Sequence, residues 1–197
     1  MSGIVGSYFN TRGSGVVAKL GTDGQVFTST GAGLSQGFEA AAGGGKIGQV
    51  VQTVHTGTET LASTTPTTIS NFAVAITPAA SSSKILVFTS AVIGQDTNNN
   101  TTSIQMFRDT TQIFMGDAAG SRSRTSWSTT IQHERKPTPF AGCYLDSPST
   151  TSEVSYSCKW FAQSSNDIYL NRTGGDNDTA AFDNRMAASI TVMEVLA

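Results

Sequence analysis

The sequence predicts an all-β protein, an antiparallel β-sandwich of jelly-roll type preceded by an extended glycine-rich N-terminal arm. Three observations predict it. Serine and threonine fill about a quarter of the 197 positions, and with the 20 glycines they disfavour helix interiors. Short runs with period-2 alternation recur from about residue 49 to the end, parted by turn clusters every 8–12 residues or so. Thirteen of the 20 glycines lie in residues 1–48, which separates an arm (1–48) from a strand-rich domain (49–197).

In the arm, Gly13-Ser14-Gly15, Gly31-Ala32-Gly33 and Gly43-Gly44-Gly45 punctuate short apolar pairs. Pieces of three to five residues cannot build a core alone. A free linker is Gly/Ser-rich without apolar residues, whereas this arm carries Ile4, Val5, Tyr8, Phe9, Val16, Val17, Leu20, Val26, Phe27, Leu34 and Phe38. These side chains are expected to be ordered on a partner surface or on copies of the chain. Residues 39–42 make at most one helical turn.

The domain's strands follow in order. Val50, Gln52 and Val54 start the first, and Phe72, Val74 and Ile76 alternate in the second. Lys84-Ile85-Leu86-Val87-Phe88 is a continuous apolar run, the pattern of a strand buried on both faces. Further strands are expected over 103–107, 126–133 and 140–145. Val154, Tyr156, Cys158 and Trp160 share one face of a run over 154–160. Ile168 and Leu170 face together, and 189–196 closes the chain as a paired interior strand. The clusters 79–83, 96–100, 147–152 and 174–178 read as turns. If 140–145 and 154–160 pair as a hairpin, Cys143 and Cys158 become cross-strand neighbours. Both are then expected as small buried thiols rather than a disulfide.

Charge and targeting bound the function. Net charge is −2 with 13% charged residues, so no electrostatic footprint for nucleic acid is present. No apolar run approaches the roughly 18 residues that span a bilayer. The first residues resemble no secretory signal, which predicts cytoplasmic synthesis and no membrane insertion. The four Asn-x-Thr triplets at Asn99, Asn100, Asn171 and Asn177 then mark only polar turns.

Candidate chemistry is sparse. His55 and His133 stand in no zinc spacing and read as strand-end histidines on a polar surface. The runs 96–100 and 174–178 resemble pieces of calcium loops. Counted from Asp96, however, the required glycine and glutamate positions hold Thr101 and Phe107. Gly13-Ser14-Gly15 with Lys19 lacks the phosphate-loop pattern. No catalytic residue, metal site or cofactor is expected. Arg122 and Arg124 before Trp127 form a possible receptor-contact loop, able to stack on a sugar or fork to an acidic group. With Asp117, the same arginines also suit ion pairs between subunits.

The run Leu20-Gly21-Thr22-Asp23-Gly24-Gln25-Val26-Phe27-Thr28-Ser29-Thr30-Gly31-Ala32-Gly33 resembles a segment common in tail-fibre and other virion fibre proteins of tailed bacteriophages, Phe27 replacing their usual leucine. Gly116-Asp117-Ala118-Ala119-Gly120-Ser121-Arg122, Leu145-Asp146-Ser147-Pro148-Ser149-Thr150-Thr151 and Ser189-Ile190-Thr191-Val192-Met193-Glu194 are similar to small fibre-type proteins of marine phages. The resemblance implies a homotrimeric virion protein made in the bacterial cytoplasm. Its arm would anchor to other virion proteins of tail, neck or capsid, and its β-domain would project toward a host surface glycan or protein. The alternatives are a capsid or neck decoration fibre with little receptor role and a polysaccharide-degrading enzyme. The enzyme is disfavoured because glycoside hydrolysis needs two suitably spaced carboxylates, while the 14 acids are scattered, mostly in turns.

Overall fold

The computed structural model describes residues 25–28, 37–40, 46–96, 99–178 and 181–196. The chain divides into two compact units, Met1–Lys46 and Ile47–Ala197. In the first, β1 (Gln25–Thr28) and β2 (Gly37–Ala40) pair antiparallel, with Phe27 opposite Phe38 and Val26 opposite Glu39. Glu39 and Ala40 thus belong to a strand rather than to the single helical turn expected over 39–42. The β1–β2 register sets two aromatic positions directly opposite each other, a pairing that favours strand over helix.

In the second unit the strands are β3 (Ile47–His55), β4 (Glu59–Leu61), β5 (Thr67–Ile76), β6 (Lys84–Gln95), β7 (Asn100–Arg108), β8 (Thr111–Ile113), β9 (Trp127–Ile131), β10 (Thr138–Asp146), β11 (Val154–Ala162), β12 (Ile168–Leu170) and β13 (Ala188–Val195). No helix long and apolar enough to cross a membrane occurs among the described residues.

Three pairs of short strands are single lines broken by a loop. Ile93 of β6 pairs with Thr138 of β10 on one side and Leu170 of β12 on the other, and β13 continues along that second side from Ser90 to Lys84. By the same reasoning β9 and β8 lie in line along β7, and β4 and β3 along β12 and β13. Eight lines result among the described residues of this second unit. One sheet has the order β3/β4, β13/β12, β6, β10, and the other has β5, β11, β7, β8/β9. Numbered along the chain, these lines stand as 1-8-3-6 and 2-7-4-5. That is the two-sheet jelly roll, in which successive lines mostly cross from one sheet to the other.

Crossing explains one misreading. β10 pairs with β6, whereas β11 pairs with β5 and β7, so no β10–β11 hairpin forms. Cys143 is exposed on one sheet and Cys158 is buried in the other, both as free thiols. Burial pushes the Cys158 thiol up to about 12, which makes it inert. β6 and β7, which flank the 96–100 cluster, likewise lie in different sheets.

The core forms between the sheets from alternate residues of each strand. Trp160, Tyr156, Phe72, Ile69, Ile85 and Ile104 are among its largest fully buried side chains, each worth about 1.5–3 kcal/mol of burial. β6 departs from expectation. Ile85 and Val87 are fully buried, but Phe88 is 38% exposed and Leu86 only half-buried, so one face of this apolar strand lies open.

Polar groups pin the edges. Asn171, fully buried in the left-handed region (φ 57°), donates to the carbonyls of His55 and Gly57. It thereby holds the break in β3/β4 against the break in β12/β13, and is no exposed turn. His55 is correspondingly buried rather than on a polar surface, its Nε2 3.9 Å from Glu59 Oε1. His133 is exposed, and its Nδ1 accepts from the Arg135 N–H.

Glu194 is 1% exposed. Burial raises its pKa, but hydrogen bonds from Gln49 Nε2 and the Ala79 N–H outweigh burial and leave it below the ordinary value. A carboxyl depressed in the fold stabilises above its unfolded pKa, near 4.3, and loses that contribution as pH falls through the folded value. Denaturant titrations from pH 6 down to pH 3 should therefore show wild-type stability falling faster than that of Glu194→Gln. Parallel pH profiles would exclude this role.

Candidate functional site: the Trp127 corner

The sequence cluster Arg122, Arg124 and Trp127 lies where the chain leaves β8 and re-enters the same line as β9. Phe114 begins the excursion in the left-handed region (φ 48°), and residues 114–126 form a loop with a closed neck. Gly116 N–H donates to Thr125 O at 3.3 Å, and Arg124 Nε donates to Gly116 O at 2.7 Å. The Arg124 carbonyl accepts from Gln105 and Gln112 Nε2 at 3.0 and 2.9 Å, and Ser126 returns the chain to register through Ile104 O and the Met106 N–H. The guanidinium of Arg124 thus closes the loop. Arg122 sits at the exposed tip, its N–H bonded to Ala119 O, with Gly120 at φ 60° making the turn.

Trp127 is half-buried and packs across to the other sheet. Its ring lies 5.3 Å from Phe114 and 5.6 Å from Phe140, and Phe114 lies 5.2 Å from Tyr144. Gly142 of β10 makes room for it: a Cβ there would stand 1.9 Å from Trp127 Cζ2. The indole therefore staples edge line β8/β9 to edge strand β10, a partner the local sequence does not signal.

Beside the indole a cleft of about 250 Å³ opens between the sheets. Ile104, Trp127 and Phe140 supply apolar walls, and Thr102, Ser128 and Thr138 supply hydroxyls. Thr102 Oγ1 is buried without a hydrogen-bond partner. Ligand pockets run about 300–1,000 Å³, so this one suits a single small ring with one apolar face and hydroxyls. None of its lining residues titrates, which leaves no general acid or base there.

Elsewhere, the buried carboxylates Asp146 and Glu194 are each engaged with protein donors. Among the described residues no three His, Cys, Asp or Glu gather as a metal site. In the 174–178 run, Asp183 holds Thr173 Oγ1 and the Asn177 N–H, and Arg185 pairs with Asp176 at 2.6 Å. Of the arm residues, Val26, Phe27 and Phe38 fall in β1 and β2; Ile4, Val5, Tyr8, Phe9, Val16, Val17, Leu20 and Leu34 lie outside the described residues.

The class defined by this architecture is the two-sheet jelly roll, which hosts capsid, lectin and enzyme domains alike. The chain is similar to the protein of T=1 particles derived from infectious bursal virus at 9% identity, TM-score 0.43, covering 86% of this chain and 44% of that one. It is also similar to the VP2 subviral particle of infectious bursal disease virus at 9% identity, TM-score 0.34, covering 87% and 46%. The chain thus spans less than half the length of these proteins. Similarity at this level fixes neither activity nor partners. No family model matches the sequence, and no curated protein matches it.

Proposed function

We propose that this chain is a structural virion protein, a homotrimeric phage tail fibre that anchors through residues 1–48 and projects the jelly roll for host-surface attachment. The observation that carries the reading is the division of labour along the chain. Residues 47–197 complete a jelly roll with its own buried core. Residues 1–48 hold only Arg12, Lys19, Asp23, Glu39 and Lys46 as charges, yet carry regularly spaced apolar side chains. Such a segment needs a surface to cover it, and three copies about an axis or other virion proteins supply one. Glycine permits the close backbone approach this requires.

For attachment, Arg122 at the loop tip and the Trp127 cleft are the contact elements, and Arg124 holds the loop in shape. A host glycan fits the cleft's mix of aromatic wall and hydroxyls. A decoration fibre on capsid or neck uses the same architecture without the cleft. The cleft is lined by hydroxyl and apolar side chains without a carboxylate or imidazole, which favours binding over hydrolysis. Native mass measurement at micromolar concentration should give three times 20.5 kDa. A monomer would overturn the fibre reading.

A further inference from the structure

The two outer faces of the sandwich differ in kind. On the sheet of β5, β7, β9 and β11, outward side chains satisfy one another: Thr101 and Thr130 hydroxyls bond at 2.8 Å, Ser103 and Ser128 at 3.3 Å, and Lys159 Nζ covers the Phe107 ring at 4.3 Å. That face is finished for water.

The opposite sheet is not. Across β3, β13, β6 and β10 the strand register aligns Val50, Met193, Leu86 and Leu145 as one outward row. The next row carries Phe88 and Cys143 beside Gln52 and Thr191, which bond each other at 2.7 Å, and the one after it Val54. Val50 and Val54 are each 53% exposed, Leu145 is 45% and Phe88 38%. A shallow depression of about 440 Å³ lies over Phe88 and Cys143. Between the apolar side chains stand small or neutral residues, and the single outward charge on these four strands is Lys84, at the end of β6.

We infer that this face is where the jelly rolls of neighbouring copies meet, so that the trimer assembles only when the β3–β13–β6–β10 sheets pack together, the arm alone being insufficient. The inference rests on the homotrimer proposed above and names its contact. Four strands about 4.8 Å apart and eight residues long at about 3.3 Å each cover roughly 500 Å². That lies at the upper end of the patches monomers leave in water, about 300–600 Å². It is also more than half of the roughly 800 Å² each partner gives to a standard interface, before side-chain relief is added. Charge points to a second copy as the occupant. Repeating an uncharged face around an axis sets no like charges opposite each other, and Lys84 falls at the rim.

The test uses the full chain with Phe88→Glu and Leu145→Glu, and Ala75→Glu on the other outer face as control. These positions are exposed, so the fold tolerates the charge. Sedimentation should show wild type and Ala75→Glu as trimers and both face variants as monomers with unchanged circular dichroism. Independently of any substitution that disturbs folding, Cys143 in the wild-type trimer should react slowly with a thiol reagent, and fast in Phe88→Glu. Trimers in both face variants, or a freely reactive Cys143 in a wild-type trimer, would overturn the interface and leave the homotrimer standing. A monomeric wild type would remove both.

Discussion

Asp146→Ala is expected to cost about 2–4 kcal/mol of domain stability, read as a lower urea midpoint at unchanged slope. Asp146 Oδ2 accepts from the Tyr156 hydroxyl and from Arg108 Nη1, both at 2.8 Å, and the carboxylate is 4% exposed. The three residues tie β10 of one sheet to β11 and β7 of the other. Removing the carboxylate leaves a fully buried phenol without its acceptor and a guanidinium with only the Ser147 carbonyl at 3.4 Å. Breaking a buried pair costs about 3–5 kcal/mol; the Arg108 side chain is 24% exposed, so water recovers part of it. Burial and then the Asp146 bond hold the Tyr156 phenol far above the usual tyrosine range, so it stays protonated until the domain unfolds in alkali. Tyr156→Phe should cost less, about 1 kcal/mol, because Asp146 keeps Arg108. A loss below about 1 kcal/mol for Asp146→Ala would remove this residue as a pin between the sheets.

Gly142→Ala is the second large effect. One methyl would meet Trp127 Cζ2 at 1.9 Å and Cε2 at 2.7 Å, so the ring must move. The ring is wedged between Phe114 and Phe140, and moving it loosens the staple between β9 and β10. Overpacking of this kind costs about 1–3 kcal/mol. Because Trp127 also walls the cleft, the variant should show changed tryptophan fluorescence together with the lower midpoint. Unchanged fluorescence with unchanged stability would contradict the packing described for Trp127.

Most strands were legible in the sequence because their inner face alternates. Val154, Tyr156, Cys158 and Trp160 read as one face, and all four are buried. β4 and β8, three residues each, are too short to show a period, and only their neighbours' register reveals them. Which strands pair was not legible. The hairpin expected between β10 and β11 follows the tendency of neighbouring strands to pair. In a jelly roll the chain crosses between sheets at that point, so Cys143 and Cys158 part. The run from Lys84 to Phe88 predicted burial on both faces, but the sheet covers only one. The site was half legible: Arg122, Arg124 and Trp127 stand close in sequence and fall on one loop and its exit. The cleft could not be read, because its other wall, around Pro139 and Phe140, comes from the opposite sheet. Nor does local sequence show that Arg124 is spent on the neck of its own loop.

In the function proposed above, residues 1–48 hold this chain on a virus particle while residues 49–197 fold independently. It is tested most directly by incorporation. Full-length chain and a chain lacking 1–45 are supplied in cells producing the particles, and purified particles are probed for each. Full-length chain is expected on the particles, and a truncated chain that is soluble and folded by circular dichroism yet absent from them. Truncated chain present on particles at the full-length level would contradict it.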